Sequence, residues 1–142
     1  MHTETLDPFD GRDIDDWSGL TATTHFRGEP NDDDRRIDRR IVGQPGTRCL
    51  FLAAGGERVG LGGVEVHDGL ACLFMGGVLE THRGRGLQLA LIRKRLILAR
   101  EMGAHHAIIG STTGPPTERN ALRAGMRPVF PKLEFTRPRA MN

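Results

Sequence analysis

The chain contains no tyrosine, a single tryptophan, and aromatic residues at only 5% of its 142 positions. That scarcity argues against a surface for stacking nucleic-acid bases, and it removes the phenol from the candidates for proton transfer. Cysteine is also sparse. Cys49 and Cys72 stand far apart with no metal-ligand spacing around them, which excludes a disulfide framework. Both sit in apolar surroundings and read as small buried hydrophobes. No apolar run approaches the roughly 18–20 residues needed to cross a bilayer. The N-terminus is acidic where a signal peptide would be basic and then apolar. A cytoplasmic protein with no membrane partner is therefore expected.

What is present suits one folded unit with a core of its own. Its net charge of +2 hides an asymmetry. Residues 1–48 carry 11 acidic and 7 basic side chains, whereas residues 49–142 carry 7 acidic and 13 basic. The basic part suits an anionic ligand.

The first 48 residues are dense in turn signals: Asp7-Pro8, Gly11, the 28–34 stretch and 43–46. Apart from a short helix over 35–42, this segment is expected to be irregular and partly mobile. Trp17 and Phe26 are its large aromatic anchors. From Cys49 the texture changes. Apolar residues 49–54, a Gly55-Gly56 turn, the alternating 59–67 stretch, the Asp68-Gly69 turn and residues 70–79 predict an antiparallel three-stranded meander. A helix is then predicted from about Arg85, with Leu89, Ile92, Leu96 and Ala99 along its apolar stripe and Gly103 closing it. A strand over 104–110, a helix over 117–124 and at least one strand within 126–136 complete the order β-β-β-α-β-α-β from residue 49.

The most informative segment is His82-Arg83-Gly84-Arg85-Gly86-Leu87-Gln88, between a strand and a helix start. Its glycines permit tight turning and close approach of a ligand to the backbone. First-turn amides lack intrahelical partners and lie at the positive end of the helix dipole. Together these make an anion cradle, to which Arg83 and Arg85 add charge. A phosphate-binding loop of the G-x-x-x-x-G-K-[ST] kind is absent, as are the third glycine and downstream acid of a dinucleotide fingerprint.

The string Arg83–Gln88 after an apolar strand, followed by Glu118–Gly125 (E-R-N-A-L-R-A-G), resembles the Gcn5-related N-acetyltransferases. Arg83, Gly86 and Leu87 match the cofactor loop Q/R-x-x-G-x-G/A, with Gln88 in place of the last small residue, as in some branches of the family. The resemblance covers about residues 49–137. It implies the acyl-CoA N-acyltransferase fold: α+β, with a mainly antiparallel mixed sheet flanked by helices. It also implies acetyl-CoA as cosubstrate and direct transfer of the acetyl group to an amine of a small molecule or protein. Main-chain groups of Gly77 and Val78 would bond the pantetheine amides, those of Arg83, Gly84, Arg85, Gly86, Leu87 and Gln88 the pyrophosphate, and Asn120 would stand near the thioester.

Glu80, just past the third strand, is the candidate general base. Glu65 and His67 share one strand face, and of His105 and His106 only one can face a cleft. Many relatives use a tyrosine as general acid; this chain has none, and Phe130 stands near that place. A catalytically silent CoA-binding module is the alternative reading, and nucleic acid is not an expected partner. The acceptor is left open. A reduced N-terminal half would leave an open sheet edge on which two copies could pair.

Overall fold

The computed structural model describes residues 1–26, 28–111 and 116–138. Five strands form one sheet in the order β1-β2-β3-β4-β5: β1 (His2–Thr5), β2 (Thr47–Ala54), β3 (Glu57–His67), β4 (Leu70–Val78) and β5 (His106–Ile109). All neighbours are antiparallel except β4 and β5, which run parallel. Helices α1 (Gly11–Thr21) and α2 (Asp32–Val42) precede the meander; α3 (Leu87–Glu101) and α4 (Pro116–Arg123) lie on either side of β5 in sequence. The predicted meander forms almost as bounded. Asp68 and Gly69, both at positive φ, make its second turn.

Residues 1–48 are a correction. In place of an irregular segment, their described residues form β1, α1, a π-turn over Ala22–Phe26, and α2. β1 pairs with β2 from His2↔Ala53 to Thr5↔Leu50, so this segment completes the sheet. Asp10 caps α1, and Asn31 with Asp34 forms a reciprocal capping box on α2. Trp17 is wholly buried with Ile14, Leu20, Phe51 and Leu61, whereas Phe26 is exposed.

On the other side, Val64, Ala71 and Leu73 pack with Ile92 and Ala99 of α3. Two further expectations fail. No strand follows α4 among the described residues. Residues 126–138 include Pro128, Pro131 and Pro138, whose missing amide hydrogens break any ladder. Cys49 is buried as expected, but Cys72 is exposed.

The feature that matters for function lies in β4. Leu61 pairs with Gly77 and Gly63 with Phe74, so Met75 and Gly76 stand opposite Gly62 alone. This is a bulge, with Met75 at φ 49°. Pairing of β4 with β5 runs only from Leu70↔His106 to Leu73↔Ile109. The β5 side of residues 74–78 therefore opens onto a cleft.

Candidate functional site

A pocket of about 280 Å³ occupies this gap, lined by β4 from Leu73 to Gly76, by Gln88, Ile92 and Arg95 of α3, and by Ile109, Thr117 and His25. Gly77 and Val78 are buried at the end of β4. The Val78 carbonyl accepts from Arg83 Nε at 3.2 Å. Gly77 is needed for packing: a Cβ there would lie 2.9 Å from Thr24 Oγ1 and 3.0 Å from His25 Nε2.

Beyond β4 a short 3-10 turn (Glu80–His82) leads through Gly84 and Gly86 to α3, which starts at Leu87, not Arg85. Gly84 and Gly86 have φ of 75° and 74°, and nothing lies within 4 Å of where their Cβ atoms would be. The backbone there is open to an approaching group. Gly86 is the N-cap residue, so no side chain caps the helix. The amides of the first turn thus face outward beside the exposed Arg83 and Arg85.

The side chains of Gln88 and Asn120 are joined by a hydrogen-bond relay. Asn120 Nδ2 donates to Gln88 Oε1 at 2.8 Å, and Gln88 Nε2 donates to Thr117 Oγ1 at 2.9 Å. This relay fastens α4 to the first turn of α3 at the cleft. Asn120 is half-buried, with its side-chain amide nitrogen engaged by Gln88. Glu80 is exposed on the 3-10 turn. Glu65 and His67 are bonded to one another at 2.5 Å on the surface, and neither lines the pocket. His105 and His106 are exposed and also outside it.

Two residues at the site carried no assignment from sequence. His25 sits in the π-turn after α1, where the hydroxyls of Thr23 and Thr24 bond the carbonyls of Gly19 and Leu20 four residues back. The turn carries its ring against β4. Burial of that side holds the imidazole pKa below its ordinary 6.5; the Met75 carbonyl beside it pulls upward, and the Arg83 charge pushes down again. Arg95, only 1% exposed, lies under the bulge. Its Nε is 3.4 Å from the Leu91 carbonyl and its Nη1 3.2 Å from that of Phe74. The signal for Arg95 was its helical spacing, three residues after Ile92 and four before Ala99.

No family profile matches the sequence, and no curated protein does so. Solved structures do match over nearly the whole chain. The aminoglycoside N-acetyltransferase AAC(6')-Iy, solved with the bisubstrate analogue CoA-S-monomethyl-acetylneamine, superposes with a TM-score of 0.75 at 17% identity, covering 99% of this chain and 100% of its own. A ribosomal-protein-alanine N-acetyltransferase from Brucella melitensis gives 0.73 at 17% identity, over 96% and 99%. A transcriptional regulator from Bacillus halodurans gives 0.76 at 16% identity, over 95% and 99%. The chain has the fold of the Gcn5-related N-acetyltransferases, whose motifs its Arg83–Gln88 and Glu118–Gly125 segments resemble.

Proposed function

We propose that the protein is an acetyl-CoA-dependent N-acetyltransferase, moving an acetyl group directly to an amine of a small molecule or protein. One observation carries this reading: the cleft where β5 leaves β4 adjoins the uncapped N-terminus of α3, so an elongated slot and an anion cradle form one site. The open glycine backbone at 84 and 86 fits a pyrophosphate. Bound acetyl-CoA would supply the activated acyl group as its thioester.

The chain's own residues have separable tasks in this scheme. Amides from Arg83 to Gln88 hold the pyrophosphate, and the edge at Gly77 and Val78 receives the pantetheine amides. Arg83 is shared, because its bond to the Val78 carbonyl competes with both. Asn120 acts through Gln88, keeping the first turn of α3 and the cleft wall in register. The acceptor amine must lose a proton. Glu80 is a candidate for that task, but it is exposed on the turn beyond the strand. His25 is better supported, since its Nε2 faces the strand end and its lowered pKa keeps the ring neutral at pH 7. The chain has no tyrosine, so proton return to the leaving thiolate falls to solvent or to another group.

Calorimetric titration of acetyl-CoA into wild type and Gly86→Glu tests the reading. Binding is expected in wild type and absent in the variant, whose carboxylate enters the cradle with the fold retained. No heat and no thermal shift in wild type would sink it. Binding without thiol release on any amine would favour a silent CoA-binding module instead, the reading that the missing tyrosine supports.

The same proposal extends to assembly as a homodimer. Val129, Phe130, Leu133 and Phe135 are 76–91% exposed on the segment after α4, and a second copy is the partner offered for them.

A further inference from the structure

Arg95 is the feature that the reading above leaves unused. Its guanidinium is almost wholly buried, and it has been given room. A Cβ on Gly62 would lie 2.9 Å from Nε, and one on Gly76 would lie 2.5 Å from Nη2. Two strand positions on adjacent strands must therefore be glycine for this side chain to fit. Glycine inside a strand weakens it, so the accommodation has a cost in stability.

A guanidinium has five N–H donors. The contacts to the carbonyls of Leu91 and Phe74 engage Nε and Nη1. Among the described residues no carboxylate lies within 4.0 Å of Arg95, and no Asp or Glu lines the pocket that it borders. Burial lowers its pKa to about 10, which still leaves it charged at neutral pH. Charges buried without a partner are strongly disfavoured. A buried cation bordering a pocket with no acid among its lining residues suits an anion, and a planar fork matches a carboxylate in both shape and charge.

We infer that the β4–β5 pocket binds a carboxylate group against Arg95. The group could arrive on the acyl chain of a CoA thioester or on the acceptor amine. This inference deepens the proposed acyltransferase reading and rests on it for the source of the carboxylate; the binding site itself does not depend on it.

The experiment compares each carboxylate with its uncharged amide, so that wild type alone can decide. In the acyl arm, succinyl-CoA and succinamyl-CoA are titrated calorimetrically. In the acceptor arm, thiol release from acetyl-CoA is followed with amino acids and with their amides. In a third arm, free succinate and succinamide are compared by thermal shift at matched ionic strength. A preference of about 10- to 100-fold for the carboxylate is expected in one of the first two arms, with a succinate-specific rise in Tm. Arg95→Met should abolish both, and Arg95→Lys should keep part of each. Whichever of the first two arms shows the preference identifies the source. Failure of any CoA thioester to bind, with succinate still stabilising the wild type through Arg95, would overturn the acyltransferase reading and leave the carboxylate site standing. Equal responses to acid and amide in all three arms would overturn the site.

Discussion

At the residue scale, the proposed proton transfer turns on a side chain whose sequence context, T-A-T-T-H-F, carries no recognisable motif. His25 reaches the site because a π-turn extends α1 and swings the ring onto β4. If its neutral form takes the acceptor's proton, kcat/KM must fall on the acid side as the ring becomes charged. Its pKa is depressed below 6.5, so the midpoint of that limb is expected below 6.5. His25→Gln should remove the limb and lower kcat by about 10²- to 10⁴-fold, with acetyl-CoA still bound. Glu80→Gln should do neither; a loss there in place of His25 would move the role to Glu80. The glycine turn before α3 was legible in sequence because glycines and arginines before a helix make a local pattern. His25 and Arg95 were not, because each acts across elements distant in the chain. A lone histidine in a polar stretch, and one arginine among Arg93, Lys94 and Arg95, look like surface until the fold is known.

At the scale of elements, the meander and α3 were readable because their apolar periods are strong and their turns are chemically marked. The N-terminal elements were hidden. α2 contains only Ile37, Ile41 and Val42 as apolar residues, and of these only Val42 is buried. Beside the β1–β2 ladder and the buried Trp17 cluster, one side chain ties this half to the sheet by ion pairs. Arg58 of β3 bonds Glu4 of β1 at 2.9 Å and Asp13 and Asp16 of α1 at 2.7 and 2.8 Å, while stacking 4.0 Å over the Phe51 ring. Such a cross-element hub leaves no local sequence pattern. Arg58→Met is expected to destabilise the protein by about 2–4 kcal/mol, since it strands the Asp13 carboxylate in a buried position. Chemical denaturation would measure it. The pH dependence has a definite sign. Hydrogen bonds from Arg58 and then His2 hold the Glu4 carboxyl low. Burial pushes Asp13 up, but the Asp7 amide and Arg58 outweigh it. Both folded pKa values therefore lie below their unfolded values of 4.5 and 3.8. The network's stabilisation is complete above about pH 4.5 and is lost as pH falls through the folded values. The stability gap between wild type and Arg58→Met should thus narrow in acid; an unchanged gap would exclude the ion pairs as its cause.

The whole molecule poses a different problem, since β1 and β5 are edge strands and the segment after α4 exposes Val129, Phe130, Leu133 and Phe135. Leu133 and Phe135 alternate with Lys132 and Glu134, a strand period that finds no partner among the described residues. The three prolines that stop this segment from forming a continuous strand also limit how it can add to an edge. Scattered apolar residues on a surface are ordinary, but several large ones on one short segment mark a contact. Closure by a second copy would cover them in both chains at once, as an isologous dimer requires. Sedimentation at micromolar concentration is expected to give a dimer mass. Replacing Phe130 and Phe135 with aspartate should yield monomers that still bind acetyl-CoA, because neither residue borders the cradle or the pocket. A monomeric wild type would refute the assembly without touching the site. Loss of cofactor binding together with the dimer would instead mean that a cleft complete in one chain depends on its partner to stay open.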